Sequence, residues 1–257
     1  MSNIQSAFDH GKAFIGFVTG GDPSLEKTKE FILAMAEAGC DLIEIGVPFS
    51  DPIAEGPVIQ EANLRALAAG TTVDKLFGLV ADLKADAAMV PLVFLTYLNP
   101  VYHYGYEAFF EKAARAGLDG IIIPDLPFEE QQELKPVARK HGVDVISLIA
   151  PTSEARARAI AKDADGFVYL VSSMGVTGVR AEIKTDLASI VEQVKAATDT
   201  PVAVGFGIHS PGQAKEIAKT ADGVIVGSAI VKIIEEHGDA ATPEVAGYVR
   251  AMKAAIS

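Results

Sequence analysis

The sequence predicts an eight-stranded α/β barrel, and three observations carry that prediction. Eight short apolar runs recur along the chain, most of them without hydrophobic–polar alternation, as in strands buried on both faces of a parallel sheet. Amphipathic stretches of helix-forming composition lie between them, the pattern of repeated βαβ units. The chain has 257 residues, a length at which eight strand–helix units close as one domain. A doubly wound open sheet is the competing architecture, and it usually has fewer strands. No linker, low-complexity tract or composition break divides the chain, so one (β/α)8 barrel domain over 1–257 is expected.

Each element follows from a local signal. Residues 2–10 read as a short N-terminal helix capping the barrel bottom. The apolar runs are 14–18, 42–45, 92–95, 120–123, 143–148, 166–170, 201–204 and 223–226. The helical stretch 25–38 follows Asp22-Pro23-Ser24 and stops at Gly39, and 72–82 begins after Gly70 and Thr71. Stretch 107–116 runs to Gly117, and 129–140 ends at His141-Gly142. Further stretches are 154–162, 186–197, 212–219 and 241–256, with 228–236 an extra helix before the last. Glycine after a helical stretch, and Ser, Asp or Pro before one, are the expected stop and start signals.

Composition excludes several classes. A hydrophobic fraction of 49% excludes disorder, and the single Cys40 excludes a disulfide scaffold. The first twelve residues hold no apolar h-region, and no stretch of about 18 uncharged apolar residues occurs, so a cytoplasmic chain is expected. Net charge is −12, from 34 acids against 22 bases, with no basic stripe to follow a nucleic-acid backbone. An anionic substrate would therefore have to be held without a large positive field.

Barrel chemistry sits at the C-terminal ends of the strands. In the second run, alternation puts Glu44 on the side of Leu42 and Gly46, the barrel interior if Ile43 and Ile45 meet the helices. Desolvation there raises a carboxyl pKa, which suits a general acid/base; a structural carboxylate held by backbone amides is the alternative. The segment Phe49–Pro57, with Asp51, Pro52 and Glu55, reads as a stiffened loop that could carry Glu55 over the mouth, or simply expose a solvated acid. Glycine turns follow the last three runs: Gly175-Val176-Thr177-Gly178, Gly205-Phe206-Gly207, and Gly227-Ser228 opening the extra helix. Backbone N–H groups and a helix N-terminus can hold phosphate without many cations, whereas plain turn glycines are the bland reading. No dinucleotide fingerprint follows strand one, no nucleophile elbow occurs, and the five histidines lack metal-ligand spacing. His209 reads as a helix-start residue near the last glycine turns.

Taken in order, Gly46-Val47-Pro48-Phe49-Ser50-Asp51-Pro52, Gly56-Pro57-Val58-Ile59-Gln60, the Gly175–Gly178 turn, Gly205-Phe206-Gly207-Ile208 and Gly227-Ser228-Ala229-Ile230-Val231-Lys232 resemble the tryptophan synthase alpha subunit family. The likeness runs from Phe14 to Glu236. It implies a (β/α)8 lyase that cleaves indole-3-glycerol phosphate to indole and glyceraldehyde 3-phosphate, with no metal or cofactor. Glu44 stands at the family's general acid/base position. Glu55 stands where the family usually has Asp, the carboxylate facing the indole N–H; the charge is kept but the stem is one methylene longer. Phe17, Leu95 and Tyr97 would line the indole pocket, with Tyr169 beside the catalytic carboxylate. Gly178, Gly207, Gly227 and Ser228 match the phosphate contacts, and Thr177 belongs to a closing loop that engages Asp51. The resemblance also implies a beta subunit, carrying pyridoxal phosphate, in an alpha2beta2 heterotetramer; indole would pass between the subunits through a tunnel, with 52–56 and 99–102 near the contact face. A stand-alone lyase, an allosteric activator without chemistry, and another phosphate-handling barrel are the other readings. Both carboxylates speak against the second, and the 46–52 loop against the third.

Overall fold

In a computed structural model that describes residues 3–86, 89–150, 154–171, 183–205 and 207–257, eight parallel strands close a barrel in the order β1 to β8. They are β1 (Ala13–Thr19), β2 (Leu42–Gly46), β3 (Leu92–Leu95), β4 (Gly120–Ile122), β5 (Asp144–Ile149), β6 (Val168–Val171), β7 (Val202–Gly205) and β8 (Gly223–Val226). All eight expected runs are strands, with ends displaced by two residues at most, and β8 pairs back onto β1.

Around them lie α1 (Leu25–Glu37), α2 (Pro57–Ala68), α3 (Val73–Lys84), α4 (Leu98–Tyr104), α5 (Tyr106–Ala116), α6 (Lys135–Lys140), α7 (Glu154–Lys162), α8 (Ile183–Lys195), α9 (Pro211–Ala218), α10 (Ser228–His237) and α11 (Thr242–Ile256). Their starts follow the side chains. Ser24 and Thr72 accept the N–H of Lys27 and Lys75, and Ser210 forms a reciprocal capping box with Gln213, each cap worth about 1 kcal/mol. Gly117 ends α5 in the left-handed region, φ 82°, where a Cβ would be strained.

Three expectations need correction. The single helix expected over 129–140 is a 3-10 turn, Phe128–Glu133, followed by the short α6. Pro136 has no N–H to donate and its ring clashes with the carbonyl four residues back, which prevents one continuous helix. Two helices, α2 and α4, were not expected. Among the described residues the buried face of α2 is only Ala62, Asn63 and Ala66, and that of α4 only Val101, so neither shows a clear apolar stripe. Finally, the N-terminal element is a 3-10 turn, Ile4–Phe8.

The sheet separates two apolar layers. Outside it, strand residues such as Phe14, Ile43, Ile45 and Phe94 pack on the helices. Inside are Ile15, Leu42, Val93, Ile122, Ile146, Phe167, Tyr169, Ala203 and Ile225, with Ile4 and Ala7 of the N-terminal turn plugging the bottom. That turn does cap the barrel as expected: a Cβ on Gly120 would come within 2.7 Å of Ile4.

Acid–base pairs at the bottom tie odd strands to the even strands that follow. Asp41, just before β2, accepts the Phe14 N–H of β1 (2.6 Å) and Lys253 Nζ of α11 (2.7 Å). Asp119, before β4, accepts the Leu92 N–H of β3 (2.9 Å) and pairs with Lys84 of α3 (2.7 Å). Asp222, before β8, accepts the Val202 N–H of β7 (3.0 Å) and Lys195 Nζ of α8 (2.6 Å). At the β5–β6 corner buried Lys135 meets Asp163 and Asp165.

Candidate active site

Glu44 lies in the middle of β2, paired in register with Phe17 of β1 and Val93 of β3. Its side chain follows Leu42 into the interior, as expected. It is 1% exposed, and its Oε1 has no hydrogen-bond partner among the described residues. Among the described residues no backbone amide cradles that oxygen, which counts against a purely structural carboxylate. Burial alone pushes the carboxyl up to about 8, because a charge is expensive to hold without water or a partner.

Tyr169 of β6 faces the same interior, and its phenol pKa is raised by burial and then by the charge of Glu44. Glycines make room for the rings at this level. A Cβ on Gly205 would fall 2.5 Å from the Tyr169 hydroxyl, and one on Gly46 2.5 Å from Phe17. Above Glu44, Phe17 packs with Ala62 and Val231, and with Val58, Ile59 and Leu95, so α2 and α10 roof one side of the mouth. Arg65 of α2 braces that roof, forked onto buried Asp22 (2.8 and 2.9 Å) and reaching Glu235 of α10 (3.3 Å).

Glu55 is carried by the β2–α2 loop and is not a free solvated acid. The Tyr97 hydroxyl donates to its carboxylate. The same hydroxyl oxygen accepts the N–H groups of Ile53 (2.9 Å) and Ala54 (2.8 Å). Burial raises the Glu55 pKa, against the phenol hydrogen bond, which lowers it. Phe49 of this loop stacks near Tyr97 with ring centres 5.2 Å apart. Asp51 is exposed, its carboxylate accepting from Ser50 Oγ at 2.6 Å.

At the other side of the mouth Gly207 takes φ +73°, a left-handed conformation that suits glycine. Gly227 caps α10 without any side-chain cap, and a Cβ there would touch Phe17 at 3.4 Å. The first N–H groups of α10, beginning at Ser228, thus open beside the mouth without an intrahelical acceptor. His209 keeps to the helix-start role: its N–H goes to Gln213 and its ring to the Gly207 carbonyl. Thr177 and Gly178, with their turn, and Phe206 lie outside the described residues.

Two residues were not anticipated. Asp125, just beyond β4, accepts the Leu98 N–H at 2.8 Å and bears electrostatically on Glu55; its position after an apolar run was the available signal. Thr19, last in β1, has a buried Oγ1 with no partner among the described residues, and nothing in its local sequence distinguishes it. No group of His, Cys, Asp and Glu among the described residues could hold a metal. A cleft of about 560 Å³ opens at the barrel bottom, but its Lys12 and Lys195 are taken by the Ala221 carbonyl and Asp222.

Comparison with known proteins finds likeness in sequence and fold over nearly the whole chain. A family model described as "Tryptophan synthase alpha chain" matches residues 4–256. The tryptophan synthase alpha chain of Lactiplantibacillus plantarum is 50% identical, covering 100% of this chain and 97% of its own; that of Lacticaseibacillus casei is 45% identical over 100% and 96%. The crystal structure of tryptophan synthase subunit alpha from Legionella pneumophila superposes with a TM-score of 0.90 at 36% identity, covering 100% of this chain and 98% of that one. A Mycobacterium tuberculosis tryptophan synthase structure gives 0.90 at 38% identity, over 99% and 98%.

Proposed function

This chain belongs to the tryptophan synthase alpha chain family, and from that premise we propose how its residues divide the work. The alpha chain cleaves indole-3-glycerol phosphate in tryptophan biosynthesis, releasing indole and glyceraldehyde 3-phosphate. It is a carbon–carbon lyase, and its chemistry is a retro-aldol step that needs a proton donor at indole C3 and a proton acceptor at the C3′ hydroxyl.

Glu44 fills both roles. Held protonated near neutral pH, it gives its proton to indole C3 while the ring nitrogen takes on positive character. The C3–C3′ bond then breaks, its electron pair returns to the ring, and the C3′ hydroxyl proton passes to the Glu44 carboxylate. Indole and the aldehyde leave, and Glu44 ends protonated as it began. The observation that carries this reading is the buried carboxyl in the barrel interior, one of whose oxygens has no hydrogen-bond partner among the described residues. Glu55 accepts from the indole N–H as positive charge develops. Phe17, Leu95, Tyr97 and Tyr169 enclose the ring. Gly207, Gly227 and Ser228, with Gly178, hold the phosphate by backbone amides and the α10 N-terminus. Thr177 and Asp51 meet as the loop after β6 closes, excluding water.

A tryptophan synthase beta subunit is the partner, in an alpha2beta2 heterotetramer. Ile53 of the β2–α2 loop is 79% exposed and Tyr102 of α4 68%; large apolar side chains left in water fit a protein contact. Pyridoxal phosphate belongs to that partner, and the alpha chain works without a cofactor. Residues 1–257 act as one barrel domain in the cytoplasm; no helix among the described residues is long and apolar enough to cross a membrane.

The test is indole release from indole-3-glycerol phosphate, with and without a beta subunit. Glu44→Gln should lower turnover by about 10²–10⁴-fold, the range for loss of a general acid/base, while calorimetry finds substrate binding nearly unchanged. Retained turnover would place the acid/base elsewhere.

A further inference from the structure

We infer that Tyr97 is a positioning residue for Glu55, holding its carboxylate and the backbone of the 53–54 loop in one hydrogen-bonded unit fixed to the barrel wall. The inference rests on the reading of Glu55 as the acceptor for the indole N–H, and it assigns Tyr97 a role beyond lining the pocket.

A phenol oxygen has one proton and two lone pairs. Here the lone pairs accept the Ile53 and Ala54 N–H groups and the proton goes to Glu55. All three are used, so the hydroxyl has no proton left to offer substrate, and its direction is set from outside. The ring is 3% exposed and packed beside Phe49. It also lies two residues beyond β3, and the N–H of the next residue, Leu98, is bound to Asp125. Glu55 is thus tied through Tyr97 to a strand end rather than to its own loop alone, and sites held by strands are more precise than sites held by loops. The carboxylate keeps acceptor capacity for a further donor, having about four lone-pair positions.

The glutamate itself supports the pairing. An aspartate at 55 would end one carbon–carbon bond, about 1.5 Å, short of this carboxylate position, too far to keep the phenol hydrogen bond without moving the loop. Glu55 and Tyr97 therefore read as a matched pair, in which the longer stem is needed for the phenol to reach.

The experiment is a double-mutant cycle on the complete alpha–beta complex, with kcat/KM for indole-3-glycerol phosphate measured across pH for Tyr97→Phe, Glu55→Gln and the double variant. Tyr97→Phe should lower kcat/KM by up to about 100-fold, chiefly in kcat, as expected when a catalytic group is misplaced. The double variant should be no worse than Glu55→Gln alone by more than about twofold, since Tyr97 acts only through Glu55. The acid limb of the profile should move to higher pH in Tyr97→Phe, because the lost hydrogen bond favoured the charged carboxylate. Multiplying losses or an unmoved limb would overturn the inference. So would wild-type kinetics in Tyr97→Phe beside an impaired Glu55→Gln, and that result leaves the Glu55 reading standing. Wild-type kinetics in Glu55→Gln would sink the Glu55 reading itself. A milder variant, 3-fluorotyrosine at 97 alone, keeps the hydroxyl and strengthens it as a donor; it should move the acid limb downward, and an unmoved limb counts against the proposal.

Discussion

At the residue scale, Glu44 is a carboxyl whose protonation the barrel controls, and this links its proposed catalytic role to stability. Its folded pKa is raised to about 8 from an ordinary value of 4.5. Between those limits the unfolded chain releases the proton while the folded chain keeps it, so the folded state binds more protons. Stability contributed by this group is present at low pH and is lost as pH rises through about 8. Glu44→Gln cannot titrate, so its thermal unfolding should vary less from pH 5 to 8 than that of the unmodified chain. The difference should be on the order of a few kcal/mol at most; parallel melting curves would refute the buried, unpartnered state of Glu44. Strand alternation placed this side chain inward from sequence alone. The Glu55 contact was not legible in the same way, because Tyr97 is 42 positions away and no local pattern pairs them. Gly46 and Gly205 were visible as glycines, but that each makes room for a ring from another strand was not.

At the scale of elements, the legible helices were those with a broad buried stripe, such as α3 with Leu76, Phe77, Leu79, Val80 and Leu83. The two that were missed have almost no stripe, yet α2 helps roof the site and α4 starts immediately after Tyr97. The functional end of this barrel is thus built from elements that periodicity detects least well, while the stability of the other end comes from the aspartate clamps. Asp119 is 9% exposed and serves Leu92 and Lys84 at once. Asp119→Ala would leave a strand N–H and a mostly buried ammonium short of a partner, costing about 2–3 kcal/mol. Urea unfolding measures this, and a change below about 0.5 kcal/mol would mean that the clamp is replaced by water. Activity of the folded fraction should be little affected, since the clamp lies at the opposite end from Glu44.

At the scale of the whole molecule, the net charge of −12 excluded a nucleic-acid backbone as partner but did not exclude a phosphorylated substrate. The proposed phosphate site uses backbone amides and a helix terminus, which act over one turn and add no net charge. The long-range field therefore repels the substrate. Added salt screens that field, the Debye length being about 10 Å at 0.1 M, so kcat/KM should hold steady or rise between low and moderate ionic strength; a steep fall would reveal a positive steering surface. The barrel, its eight apolar runs and the inward Glu44 were legible in the sequence, because these depend on periodicity and on residue types within a few positions of one another. Barrel closure set the rest: that Glu44 Oε1 has no partner among the described residues, that Tyr97 holds Glu55, and that the poorly patterned α2 roofs one side of the mouth with α10. Those facts depend on which distant side chains meet once the sheet closes, and closure brings together residues whose separation along the chain holds no record of the contact.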